Sequence, residues 1–259
     1  MEGGETAMPG DAERDGDWER SGKWLSFYNG SHAPHLPEVV GSVELLPWRS
    51  CAPASQLVSF VGQGLLGPAG PLRCLELGCG TGENLPLLAQ HASFVCGVDI
   101  APQAVAHARA ALDLAGCAEP NAQVLVADVL RLGLPGSDCP ELLADGRGWG
   151  GDFDFVFDCQ CLHCLFHVDK AAVASLPARL LRPGGRLLLL TGSADEPTDR
   201  GPVRLTREQV MEIFAGSGLL CEELQATRFD WTSTYRGQEG FSEPPLGWMS
   251  IWRNLDVQL

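Results

Sequence analysis

No apolar run in this 259-residue sequence approaches the roughly 18 residues that a bilayer-crossing helix needs; the four leucines at 187–190 have the length of a buried strand. The acidic, glycine-rich start lacks the basic residues and apolar stretch of a secretory signal, and its acidity argues against a mitochondrial transit peptide. No cluster of Lys or Arg relieves a formal charge of -15, which repels nucleic-acid phosphates and anionic membranes and leaves a small molecule or a basic protein as partner. Internal repeats are missing too. So is a short disulfide scaffold: the ten cysteines are spread along a long chain, with Cys74, Cys96 and Cys221 inside apolar, strand-like runs. Reduced thiols packed as small hydrophobes in a cytoplasmic protein are the expectation.

What is present is an alternation. Residues 1–22 are polar and without periodicity and are expected to form a disordered acidic tail, with one domain over 23–259 whose 23–70 part acts as a lid or cap. Short apolar runs at 73–77, 93–99, 122–128, 153–158 and 184–191 predict strands. Helical patterns stand between most of them, notably 101–115 with Pro102 in its first turn; a further helix at 170–181 is expected to bend or break at Pro177. Thr206 and Gln209 form a capping-box signature ahead of another helix. Two last strand signals, about 219–229 and 246–253, have no helix between them. The pattern predicts an α/β fold: a doubly wound, mostly parallel seven-stranded sheet with an antiparallel C-terminal hairpin.

Four of these strands end in an acid or carry one near their end: Glu76, Asp99, Asp128 and Asp158. Ligands of open α/β sheets sit outside the carboxyl ends of the strands, so these carboxylates are expected at one crevice, where a cationic ligand offsets their mutual repulsion. Glu76 leads into Gly78, Gly80 and Gly82, a turn that lets a ligand approach the backbone. The third glycine comes one residue too early for a dinucleotide fingerprint, and Glu83 occupies the place that pattern reserves for glycine.

C-L-E-L-G-C-G-T-G at 74–82 resembles motif I of the class I S-adenosylmethionine-dependent methyltransferases, and the resemblance extends over about 48–253. It implies S-adenosylmethionine as cofactor. Gly78, Cys79, Gly80 and Gly82 would cradle its methionine and ribose part, with Glu76 reaching the ammonium. Asp99 would accept the ribose hydroxyls with Ile100 against the adenine, and Asp128 the adenine amino group with Val129 beside it. L-R-P-G-G-R-L at 181–187 is similar to the family's turn into the fifth strand. L-P-W-R-S-C-A-P at 46–53 resembles the P-W-D-x-G-x-P segment of the thiopurine, thiol and tellurite methyltransferase group: Trp48 and Pro53 match, whereas Arg49 and Cys51 replace Asp and Gly. D-C-Q-C-L-H-C-L at 158–165 is similar to a D-R-G-C-x-H-x-L segment of related small-molecule enzymes, through Asp158, Cys161, His163 and Leu165. P-P-L-G-W-M-S-I-W-R at 244–253 is similar to that group's last strand.

Cys159, Cys161, Cys164, His163 and His167 form a dense cluster, yet a structural zinc site wants two C-x-x-C-type pairs and only Cys161/Cys164 supplies one. No metal is expected. The loop is instead placed beside the methyl acceptor, with His163, Cys161 and Asp158 as candidate catalytic groups and Trp48 and Asp158 joining the cofactor-binding set. Methyl transfer to a small-molecule thiol or other soft nucleophile is the expected activity. The alternatives are a protein methyltransferase acting on a basic segment and a non-catalytic cofactor-binding partner protein.

Overall fold

The computed structural model describes residues 23–28, 43, 46–67, 71–137, 139–198, 203–238 and 240–255. The tail expected over 1–22 lies outside them, as does most of 29–45 in the segment expected to act as a lid. Seven strands form one sheet in the order β3-β2-β1-β4-β5-β7-β6. They are β1 (Arg73–Leu77), β2 (Phe94–Asp99), β3 (Ala122–Val126), β4 (Phe153–Cys159), β5 (Leu181–Gly192), β6 (Leu219–Arg228) and β7 (Leu246–Asn254). The first five pair in parallel. β7 inserts between β5 and β6 and runs antiparallel to both, so the terminal pair is the expected hairpin with its later strand placed inside the sheet.

The helices are α1 (Lys23–Tyr28), α2 (Ser55–Gly62), α3 (Leu85–His91), α4 (Pro102–Leu114), α5 (Leu162–Leu165), α6 (Lys170–Leu180) and α7 (Arg207–Glu212). Proline opens α4, and Ala104, Val105, Ala108 and Leu112 form its buried stripe. Thr206 and Gln209 close the expected capping box on α7. Two local expectations need correction. α6 continues through Pro177, so it is not broken there; a proline at this place removes one helical hydrogen bond, that to the Val173 carbonyl, without ending the helix. β5 starts three residues earlier than the strand expected at 184–191: Leu181 pairs with Phe153 and Arg186 with Phe155, so R-P-G-G is an irregularity inside the strand.

β1 and β2 are buried at every position, as expected for parallel strands covered on both faces. The side-chain period of two divides their residues between two cores. Leu75, Leu77, Cys96, Val98, Val156, Leu187 and Leu189 join α6 and α7 on one face. Cys74, Val95, Phe155, Phe157, Leu188 and Leu190 join α2, α3 and α4 on the other. By this parity Glu76, Asp99 and Cys159 belong to the second face, while Asp158 falls on the first. Among the described residues no helix is long and apolar enough to cross a membrane.

Candidate active site

The chain after β1 turns sharply over the end of β2. Cys79 N–H donates to the Val98 carbonyl at 2.9 Å, and Gly80 N–H to Asp99 Oδ2 at 2.9 Å. Gly78 has φ +61°, and a Cβ there would lie 2.6 Å from both Cβ and Sγ of Cys161, so only glycine lets the turn meet the loop after β4. Gly82 serves packing: a Cβ would sit 2.7 Å from Ala108 Cα, so its absence lets α4 close on the turn.

Around this turn is a cavity of about 610 Å³, well inside the range of ~300–1,000 Å³ usual for small-molecule sites. Its wall includes Glu76, Gly78, Cys79, Gly80, Asp99 and Ile100; Asp128 and Val129 continue it past β3, and Cys161 and His163 past β4. Trp48 lines it as well, edge-on to Trp24 and Phe27 at 5.6 and 5.0 Å. Of the residues expected at the site, Gly82 and Asp158 are not on this wall.

Three carboxyl groups have separate environments. Glu76 is 2% exposed; Asn84 Nδ2 donates to its Oε1 at 2.7 Å, while Oε2 is buried with no hydrogen-bond partner. Burial pushes its pKa well above the carboxylate range. Glu83, Asp158 and Asp99 add to the rise, and the Asn84 amide opposes it. Asp99 accepts from Gly80 and Ala101 N–H, both at 2.9 Å, and burial outweighs those donors to raise its pKa. Asp158 is fully buried, and its oxygens accept from Cys161 N–H at 3.2 Å and Leu162 N–H at 2.9 Å. Burial lifts it to about 7 against those two bonds. Asp158 thus caps the start of α5 and shapes the loop from behind.

The remaining candidates from the Cys/His loop are poor bases and nucleophiles. Burial first, then Asp158, pushes the Cys161 thiol up, and the same causes raise Cys159, so neither is a thiolate near neutral pH. His163 is 1% exposed, its Nδ1 accepts from Gly192 N–H at 2.9 Å, and burial lowers its pKa to about 4, with the Gln160 backbone acting weakly the other way. α5 ends before His167, so the two histidines do not share a helix face, and no group of three or more His, Cys, Asp or Glu among the described residues is arranged to hold a metal ion.

Several wall residues were not expected. Asn84 ties Glu76 to the chain ahead of α2 by also accepting from Ala54 N–H at 2.8 Å. Arg49 pairs with Glu83 at 2.5 Å and donates to Thr81 at 3.1 Å; that Arg49 replaces an Asp while Glu83 replaces a glycine was the available signal for this pair. Tyr28 brings its hydroxyl to Gly80, 3.2 Å from where a Cβ would stand. Phe229, Thr232 and Tyr235, from the connection between β6 and β7, close the far side.

Residues 75–187 match the family model of a methyltransferase domain. Comparison with curated proteins gave no match. Among solved structures, the chain is similar to a protein studied in the conversion of a disulfide bond into a thioacetal group during echinomycin biosynthesis, at 23% identity and TM-score 0.66, over 92% of this chain and 94% of that one. It is similar to magnesium protoporphyrin IX methyltransferase from Synechocystis PCC 6803 with bound S-adenosylmethionine, at 19% identity and TM-score 0.53, over 97% and 100%. It is also similar to geranyl diphosphate methyltransferase in complex with its diphosphate and sinefungin, at 18% identity and TM-score 0.55, over 78% of each chain. At these identities the likeness establishes the fold.

Proposed function

We propose that this chain, which carries a class I methyltransferase domain, binds S-adenosylmethionine and methylates a small-molecule acceptor through a thiol or another soft nucleophile. The observation that carries the first half is Glu76: a buried carboxyl oxygen without a partner, on the wall of a glycine-turn cavity, asks for a cationic donor. An ammonium group fits it, and Asp99 next to the turn suits a pair of hydroxyls. Asp128 and Val129, past the edge of β3, suit an adenine. Trp48 and its aromatic neighbours cover the glycine turn and keep water from it.

S-adenosylmethionine when bound supplies a methyl group on a sulfonium, whose C–S bond breaks as the acceptor–methyl bond forms. The chain's task is alignment and exclusion of water. The choice of a soft acceptor rests on the loop after β4. His163 has Nδ1 engaged by Gly192 and stays neutral, Asp158 is turned into the backbone, and the thiols are protonated. A nucleophile that needs deprotonation by a strong base finds little help there, whereas a thiol near its own pKa needs little and gives its proton to water. The chemistry on a disulfide named for the similar protein of echinomycin biosynthesis agrees with sulfur as a target.

The test is transfer of a labelled methyl group from S-adenosylmethionine to a small-molecule extract and, separately, to a protein extract. Label is expected in the small-molecule fraction and in a panel of added thiols. Label confined to protein would replace this proposal with a protein methyltransferase, and none in either would favour a binding protein without turnover.

A further inference from the structure

We propose that His163 serves the acceptor end of the cavity as a neutral hydrogen-bond donor, its Nε2–H holding an uncharged oxygen of the acceptor (a carbonyl of the ketone, amide or thioester class) beside the reacting atom. The assignment of that oxygen to a methyl acceptor rests on the proposed function above; the donor state of the ring does not.

Two backbone groups bear on the ring's state: Gly192 N–H, which donates to Nδ1, and the Gln160 backbone, whose favouring of the charged ring burial outweighs. Gly192 N–H donates to His163 Nδ1 at 2.9 Å, and a nitrogen that accepts carries no proton, so the proton of the neutral ring is on Nε2. Gly192 closes β5, and a Cβ there would meet the Val203 carbonyl at 2.5 Å, which excludes a side chain, while the imidazole Cε1 would stand at an ordinary contact distance of 3.6 Å. Nε2 is buried and has no hydrogen-bond partner, although the residue lines the cavity. A buried N–H is seldom left unpaired unless a ligand completes it.

Position in the sheet assigns this donor to the acceptor. Glu76, Asp99 and Asp128 occupy the β1, β2 and β3 side, whereas His163 stands past β4 and is bound to the end of β5. Charge selects the handle. Held neutral by burial, with His167 adding to that effect, the ring brings no cation to an anion, and the two arginines on the wall are engaged, Arg49 by Glu83 and Arg204 by the Glu196 and Thr198 carbonyls.

Long-range ¹H–¹⁵N NMR of the full-length protein, with His163→Gln for assignment, reads the ring directly. A single Nε2–H tautomer is expected from about pH 5.5 to about pH 8, the range across which a free imidazole loses its charge. An Nδ1–H tautomer, or a titration inside that range, overturns the proposal. Two thiols, N-acetylcysteamine with a carbonyl and 1-butanethiol without one, then test the handle. Added to protein saturated with S-adenosylhomocysteine, the first should shift the Nε2–H resonance and the second should not; an equal response or none overturns the proposal. In turnover, the preference in kcat/KM for N-acetylcysteamine should be on the order of 10-fold or more. It should fall to about 1 in His163→Leu and survive within about threefold in His163→Gln, whose amide N–H reaches the Nε2 position. Equal losses in the two variants also overturn it. Absence of turnover on both thiols, with the resonance behaving as expected, counts against the thiol acceptor and leaves the donor in place.

Discussion

Asp99→Ala is expected to raise the dissociation constant for S-adenosylhomocysteine by about 100-fold or more. Hydrogen bonds to a charged group contribute about 1.5–3 kcal/mol each, and the proposed role gives Asp99 two hydroxyl donors, so about 3 kcal/mol at the lower end, or two decades. The lower end applies because the same oxygens already accept from Gly80 and Ala101 N–H. Loss of the side chain also leaves those two amides unpaired and releases the turn that shapes the cavity, which adds to the effect. Asp99→Asn keeps an acceptor oxygen and should lose about tenfold. Calorimetric titration measures both, and thermal melting shows whether the variants fold. Affinity within about threefold of the wild type in a folded Asp99→Ala protein contradicts the assignment.

The largest effect on stability is expected far from the cavity, at Arg73. This side chain is 1% exposed at the start of β1; its Nε and Nη2 meet the two oxygens of Asp145 at 2.7 and 3.1 Å, and Nη1 lies 3.4 Å from Asp152. Its guanidinium also stands over the rings of Phe153 and Phe94, at 4.7 and 5.1 Å. Removing one partner of a buried ion pair costs about 3–5 kcal/mol; Asp145 and Asp152 keep some contact with water, which favours about 3 kcal/mol for Arg73→Ala. For a chain of this size that is a fall in Tm of roughly 6–12 °C. Because Arg73 lies at the opposite end of β1 from Glu76 and the glycine turn, affinity for S-adenosylhomocysteine at a temperature where the variant is folded should be unchanged. A Tm within about 2 °C of the wild type contradicts this account of the pair.

The two sites also show what a sequence reveals. Glu76, Asp99 and the glycines were legible because a turn at the carboxyl end of a buried strand leaves a residue-by-residue signature. Arg73 was not: R-C-L-E-L reads as an apolar strand with a charged first residue. Its partners lie in the 145–152 loop, which looks irregular in sequence yet holds Asp145, Asp152 and the buried Trp149. Asp158 is a different case. All four strand-end acids were grouped as converging, but strand parity was already readable, and it sets Asp158 on the face opposite Glu76, Asp99 and Cys159. Its two backbone bonds show what an acid on that face does instead. For His163, a place on the cavity wall was foreseeable. The state of its ring depends on Gly192, 29 positions away on β5, and nothing local announces that bond.

The most direct test of the account is a calorimetric titration of the wild-type protein with S-adenosylhomocysteine at neutral pH, in two buffers of different ionisation enthalpy. In the free protein burial pushes the Glu76 pKa well above the usual carboxylate range and so favours its protonated form. An ammonium at the unpartnered Oε2 favours the carboxylate and lowers that pKa, so binding expels the proton to the buffer. The prediction is saturable binding with a buffer-dependent enthalpy that reports release of up to about one proton, together with weaker binding and no release in Glu76→Gln. Absence of binding, or a release unaltered in Glu76→Gln, would contradict the claim that Glu76 anchors the cofactor's ammonium.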